Sequence, residues 1–450
     1  MKKILSIFLL LTSFISQAQI EGTWSGNIEI PNNNLPLVIH IKNQNNELKA
    51  AFDSPNQGAF DIPIPEINFT NNVLTFKFPA MLISYEGKLE NNLIKGTFTQ
   101  SGQSFPLNLS KGEFKINRPQ EPKAPFGYKT EDVKFLNKKD NIKLAGTLTM
   151  PNEGGKFPAV ILIAGSGAND RNEELFNHKP FMVIADYLTK NGYVVLRYDK
   201  RGVSESEGDF SQATTLDFAT DAEAGIDFIK TLKNVDQNKI GIIGHSEGGM
   251  VAQMIAAKNN KIDFVISMAG PGIENDKLML IQKKQIEKNL GYNEDEVNDN
   301  QKLFGNIYDI MKKNISNEEA EKEIRTLLKN NPKFKDSDEN DLKSLTQLPH
   351  SVWFREFIKY NPENNLKKIK AKTFVINGEK DVQVTSKVNL DGWKKGLAHN
   401  KKASFKSYPN LNHLFQESET GMPNEYGSIE TTIEPYVLED ILNWLNTNVK

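Results

Sequence analysis

A small all-β domain followed by a larger α/β domain, with a mostly parallel central sheet, helices on both faces and a helical insertion, is the fold class that this sequence predicts. Period-two alternation of apolar and polar residues with Asn-rich turns runs to about residue 112, and strands alternate with amphipathic helices after residue 126. Between them lies Arg118-Pro119-Gln120-Glu121-Pro122-Lys123-Ala124-Pro125, whose prolines favour extended, non-helical backbone. At 450 residues the chain is long enough for roughly two to four domains.

The first element is a leader over residues 1–19. Met1-Lys2-Lys3 starts it with positive charge, Ile4 to Ile15 forms a short apolar run, and Ser16-Gln17-Ala18 has small residues at cleavage spacing. The apolar run is well short of the roughly 20 residues that a spanning helix needs, so a cleaved signal peptide is expected rather than a membrane span. Export to the periplasm or beyond follows, and without cysteine to carry a lipid the protein is not expected to be a lipoprotein.

Residues 20–113 read as the all-β domain, a sandwich or partly closed barrel. Leu35 to Ile41, Val73 to Phe78 and Leu93 to Phe98 are its clearest strands, and Asn71-Asn72 and Asn91-Asn92 its clearest turns. Gly22-Thr23-Trp24 is similar to the start of a lipocalin-like barrel, yet the domain is too small for a full ligand-holding one. Trp24 is therefore expected as a core plug. Residues 114–126 form the linker, and 127–450 the α/β domain.

In that domain Tyr128 to Leu136 and Ile142 to Met150 are expected as an opening antiparallel pair, and Phe157 to Ala164 as a buried strand. Strands at Tyr193 to Tyr198, Lys239 to Ile243 and Phe264 to Met268 alternate with helices at Phe181 to Lys190, Thr215 to Leu232 and Glu247 to Ala257. From about 272 to 365 the strands stop and charged helical sequence takes over, which reads as a cap insertion. Alternation resumes with Thr373 to Asn377, a helix from Ser386, Ser404 to Tyr408 and a last helix near Ile433 to Leu445.

Composition excludes several function classes. Hydrophobic residues are 38%, charged residues 25%, and 55 Lys+Arg stand against 57 Asp+Glu, which fits a globular chain and neither disorder nor a membrane bundle. A net charge of -2 offers no positive field for nucleic acid. With no cysteine, any nucleophile must be something other than a thiol.

Gly244-His245-Ser246-Glu247-Gly248-Gly249 lies between a strand and a helix, the setting in which G-x-S-x-G holds a serine on a strained turn with its hydroxyl above the sheet edge. Such a serine needs a base, itself oriented by a carboxylate. Of the six histidines, His40 belongs to the β-domain, His178 and His350 follow no strand end, and His399 precedes the last strand. His245 neighbours the serine, with its side chain expected to point away. His413, in Pro409-Asn410-Leu411-Asn412-His413, follows the last strand on the serine's side. Asp381, in Asn377-Gly378-Glu379-Lys380-Asp381, follows the preceding strand at the same edge, with Glu379 as its nearest rival. Oxyanion donors are expected at the backbone N–H of Glu247 and of Ser166, in Gly165-Ser166-Gly167. The Glu247 side chain is expected only to favour the helix dipole. Asp170, Arg171, Asp199 and Arg201 share this edge, where ion pairing that supports the loops is favoured over binding of a substrate carboxylate.

Together, Gly244 to Gly249, Arg197 to Gly202, Ala164 to Arg171, Leu411 to Gln416 and, in the extension, Asp53 to Gly58 resemble the α/β-hydrolase superfamily. The resemblance is closest to bacterial serine esterases with a β-rich N-terminal extension. It implies carboxylesterase activity on a small-molecule ester, with Ser246, Asp381 and His413 as triad and neither metal nor organic cofactor. Gly165-Ser166 departs from the His-Gly of many members, which bears on which loop N–H completes the oxyanion hole. Trp353, Phe354 and Phe357 are candidates for an acyl pocket, or for plain packing of an amphipathic helix. A serine peptidase, a thioesterase or acyltransferase of the same fold, and an exported binding scaffold are the alternatives. Oligomeric state is left open, a homodimer included.

Overall fold

The computed structural model describes residues 19–30, 33–45, 47–57, 59–112, 117–152 and 154–450. All but the last residue of the expected leader, and linker residues 114–116, lie outside the described residues. The described chain divides into two compact units. One holds the residues up to Asn117 together with Leu175–Asn177 and Tyr426–Glu430, and the other holds Arg118–Glu174, His178–Glu425 and Thr431–Lys450.

In the first unit nine strands follow one another: β1 (Gly22–Ile30), β2 (Asn33–Gln44), β3 (Glu47–Ser54), β4 (Ala59–Ile64), β5 (Glu66–Thr70), β6 (Val73–Phe78), β7 (Ile83–Glu90), β8 (Leu93–Gln100) and β9 (Gln103–Lys111). They build one antiparallel sheet ordered β4-β3-β2-β1-β9-β8-β7-β6-β5, not a two-sheet sandwich. Turn chemistry sets its registers. Asn71 and Asn72 take φ of 53° and 60°, and Asn91 and Asn92 take 49° and 64°, the left-handed pair that a two-residue hairpin needs and that asparagine tolerates. Trp24 is fully buried and its indole N–H donates to the Ile20 carbonyl at 2.7 Å. It is the core plug that its position suggested.

The second unit is an eight-stranded sheet ordered β10-β11-β13-β12-β14-β15-β16-β17. Its strands are β10 (Lys129–Asn137), β11 (Ile142–Met150), β12 (Phe157–Ile163), β13 (Val194–Tyr198), β14 (Val235–His245), β15 (Phe264–Met268), β16 (Lys372–Gly378) and β17 (Ala403–Tyr408). β10 and β11 are antiparallel, and from β13 to β17 all neighbours are parallel. Helices α1 (Pro180–Lys190), α2 (Thr215–Lys230) and α3 (Glu247–Lys258) connect the strands. The cap is α4 (Asn275–Asn289), α5 (Glu294–Lys312), α6 (Asn317–Lys329), α7 (Glu339–His350), α8 (Val352–Lys359) and the short α9 (Glu363–Leu366); α10 (Ser386–Gly396) and α11 (Pro435–Asn448) complete the fold.

The continuous apolar run of β12 is explained by its two covered faces. Ala159, Ile161 and Ile163 point into a core shared with α2, α3 and the cap, while Val160 and Leu162 point into a second core with α1 and α11. Successive strand side chains alternate faces, so every position must be apolar where both faces are dry. Each Ile or Leu so buried contributes about 1.5–3 kcal/mol. The chain leaves β12 to one side for β13 and returns to its other side for β14. Such a switch point opens a crevice at the carboxyl ends of the strands.

Candidate active site

The carboxyl ends of β12, β14, β16 and β17 place the predicted residues at that crevice. Ser246 follows β14 directly, with φ 53° and ψ −120°, and stands at the N-terminus of α3. This left-handed φ is costly for a residue with a side chain, and close backbone approach enforces it. A Cβ on Gly244 would lie 2.1 Å from the Gly248 carbonyl oxygen, and one on Gly248 only 1.9 Å from that of Ile163. Both glycines are thus required by contact. The Ser246 N–H donates to the Met268 carbonyl at 2.9 Å, which fixes the turn against β15.

Asp381 and His413, which their strand ends place at one edge of the sheet, come together in the fold. His413 Nδ1–H donates to Asp381 Oδ2 at 2.7 Å, and both side chains are buried. Asp381 Oδ1 accepts from the N–H groups of Gln383 and Val384, each at 2.8 Å, which holds the carboxylate in place. Glu379 instead accepts from Ser407 Oγ at 2.6 Å on the exposed surface. With its proton on Nδ1, the neutral His413 ring has Nε2 as its basic nitrogen. The His413 loop is shaped by Asn412, whose Oδ1 accepts from Leu414 N–H at 2.9 Å and Gln416 N–H at 3.0 Å.

The loop after β12 packs against the serine: a Cβ on Gly165 would stand 3.0 Å from Ser246 Cβ. Gly165 N–H is engaged, donating to Glu173 Oε1 at 2.5 Å, so Ser166 is the next amide along the loop. At the other side, Glu247 presents its N–H in the first turn of α3, where the helix dipole favours negative charge.

The Glu247 side chain does more than the expected service to the helix dipole. It is buried; Oε1 accepts from Thr215 Oγ1 at 2.5 Å and from the Trp353 indole N–H at 2.7 Å, and Oε2 pairs with Lys200 Nζ at 3.3 Å. Lys200 Nζ also donates to the Gly165 carbonyl at 2.5 Å and lies 4.2 Å from the centre of the Phe218 ring. Trp353, the half-buried residue of the aromatic trio on α8, is therefore tied to α3, while Phe354 and Phe357 are buried in the core.

Arg171, Asp199 and Arg201 are held in ion pairs, and Asp170 is held by its own loop. Arg171 grips Asp199 with Nε at 3.1 Å and Nη2 at 2.6 Å, and Arg201 binds Asp221 at 2.7 and 2.8 Å and Asp140 at 2.7 Å. Asp170 accepts from Asn172 and Glu174 N–H groups within its own loop. Of the other histidines, His40 sits between Thr23 Oγ1 (3.1 Å) and Asp53 (2.8 Å), and His178 bonds Thr432 Oγ1 at 2.9 Å. His399 Nε2 meets the Ile369 carbonyl at 3.0 Å. His245 has partners that its place beside Ser246 did not indicate. Its ring lies 4.8 Å from the ring of His413 and bonds that residue's carbonyl. Among the described residues, no group of three or more His, Asp or Glu side chains is arranged to hold a metal, and no helix is long and apolar enough to cross a membrane.

Against known proteins, the family model for X-Pro dipeptidyl-peptidase (S15 family) matches residues 140–405, a span that includes Ser246 and Asp381. The chain is 28% identical over 303 residues to esterase EstD of Thermotoga maritima, covering 67% of this chain and 65% of that protein. It is also 28% identical over 149 residues to the quorum-quenching protein AidA of Acinetobacter baumannii, covering 32% and 44% respectively. It thus spans less than two thirds of either relative. A solved esterase from Pyrococcus furiosus overlays 75% of this chain and all of its own, at 18% identity and a TM-score of 0.46. With the family match extending over more than half its length, and an eight-stranded, mostly parallel sheet carrying a serine on the turn after β14, the chain belongs to the X-Pro dipeptidyl-peptidase (S15) family of α/β-hydrolases.

Proposed function

We propose that the protein is a serine carboxylic-ester hydrolase acting through an acyl-enzyme on small to medium acyl esters. The observation that carries the reading is the strained Ser246, held at φ 53° on the turn into α3 at the sheet edge that also bears the 2.7 Å Asp381–His413 pair. Ser246 Oγ attacks the ester carbonyl while His413 Nε2 takes its proton. The oxyanion is held by the N–H groups of Glu247 and Ser166, and collapse expels the alcohol, protonated by His413. Water, deprotonated by His413, then attacks the acyl-enzyme; the acid leaves and Ser246 recovers its proton. Asp381 keeps the imidazole in the productive tautomer and stabilises its charged form.

The test is hydrolysis of p-nitrophenyl esters from acetate to palmitate, with Ser246→Ala as control. Short-chain turnover that the substitution abolishes is the expected result. Unchanged turnover in Ser246→Ala refutes the reading. A second reading, cleavage of X-Pro peptides, is favoured by the family match over residues 140–405. Turnover of an X-Pro anilide with silence across the esters would establish it instead.

A further inference from the structure

Beneath His413 lies a buried pair that the triad does not use. His245 Nδ1 is 3.0 Å from Glu173 Oε1 and its Nε2 is 3.0 Å from the His413 carbonyl oxygen. Carboxylate and carbonyl oxygens only accept, so both ring nitrogens must donate, and the imidazolium is the form that satisfies both contacts. Burial alone would lower the affinity of this ring for a proton, but the charge and hydrogen bond of Glu173, with the His413 carbonyl and Asp381, raise it above its ordinary value. The same Glu173 oxygen also accepts from Gly165 N–H at 2.5 Å. One carboxylate oxygen therefore holds the loop carrying Ser166 directly and, through His245, the loop carrying His413.

Glu173 occupies its place at a cost. Its backbone has φ 51°, a left-handed conformation that strains a residue with a side chain. Its Oε2 is buried with no partner among the described residues, where an unmade hydrogen bond costs roughly 1–3 kcal/mol. Glycine would relieve both penalties, and what Glu173 supplies instead is a single anionic oxygen between two loops.

We infer that Glu173 and His245 are positioning residues, a buried carboxylate–imidazolium clamp that holds the base loop and the oxyanion loop in register with each other. The inference rests on the catalytic reading of Ser246, Asp381 and His413. General-base and oxyanion contacts act within a few tenths of an ångström, and a displacement of about 1 Å costs up to roughly 100-fold in rate. Neither residue touches the reacting atoms, so the clamp is expected to act on kcat and to leave ground-state binding alone.

The experiment measures kcat and KM for p-nitrophenyl acetate in Glu173→Ala, His245→Gln and Glu173→Gln, per folded protein by circular dichroism, beside Ser246→Ala. Glu173→Ala and His245→Gln should lose about 10- to 100-fold in kcat with KM within about 3-fold. Glu173→Gln keeps an acceptor oxygen for Gly165 and His245 but loses the charge that supports the imidazolium, and should recover only part of the loss; it also decides the matter if Glu173→Ala fails to fold, since the clamp then requires its kcat to fall below wild type. Wild-type kcat in His245→Gln, or a loss carried by KM, overturns the clamp while loss of turnover in Ser246→Ala leaves the catalytic reading standing. Turnover that survives Ser246→Ala overturns both.

Discussion

Replacing Glu247 by glutamine isolates the charge of a side chain next to Ser246 while leaving its backbone N–H intact. The amide oxygen can still accept from Thr215 and Trp353, so what is removed is the negative partner of Lys200, 3.3 Å away. Both side chains are almost wholly buried, at 6% and 1% exposure. At an effective dielectric of about 20 the attraction over this distance is roughly 5 kcal/mol, and removing one member of a buried pair typically costs about 3–5 kcal/mol. Lys200 keeps the Gly165 carbonyl and the Phe218 ring face, which places the expected loss near the lower end, about 3 kcal/mol. For a unit of this size that is a fall of roughly 4 °C in Tm. Urea unfolding followed by near-ultraviolet circular dichroism, in the transition that coincides with loss of ester turnover, reads it. Lys200→Met in the Glu247→Gln background should then cost less than in the wild type by about 2 kcal/mol or more. A Glu247→Gln variant within about 0.5 kcal/mol of wild type, or strict additivity with Lys200→Met, would refute the reasoning.

Three further outcomes are expected. Because the His245 pKa is raised in the fold, its pairing with Glu173 contributes in full below the unfolded value of about 6.5 and is lost as pH rises through the folded one; the stability gap between wild type and His245→Gln should therefore narrow on going to alkaline pH, in urea midpoints taken across that range. Gly248→Ala would drive a Cβ to 1.9 Å from the Ile163 carbonyl oxygen, and a loss of several kcal/mol in the same unfolding assay, or failure to accumulate as folded protein, is expected. Asp381→Asn keeps an acceptor for Gln383 and Val384 but presents the wrong partner to His413 Nδ1, so ester turnover should fall by about 10⁴-fold with the circular dichroism spectrum unchanged.

Local sequence carries the features that depend on a few neighbouring residues. The Asn pairs at 71–72 and 91–92 announce hairpins because asparagine accepts the left-handed backbone that those turns require. The run from Phe157 to Ile163 announces a strand covered on both faces because alternation places every second residue in a different core. The glycines around Ser246 announce a tight strand-to-helix turn because a side chain there would strike backbone. Chain order then put Asp381 and His413 after parallel strands, whose carboxyl ends share one edge, and the two meet at 2.7 Å.

Contacts between residues far apart in the chain leave no such trace, and tertiary structure alone decided them. Nothing in His245-Ser246-Glu247 indicates that the histidine turns toward the His413 carbonyl and toward Glu173, 72 residues earlier, or that the glutamate collects Thr215, Trp353 and Lys200. Leu175–Asn177 and Tyr426–Glu430 fall within the α/β stretch of the chain yet cluster with the β unit. A periodic pattern reports which face of an element is buried, whereas the partner of a buried charge is set by where the sheet and its loops bring distant segments. Those partners are the hydrogen bonds and charges that burial makes obligatory, and they exist only once the chain has folded.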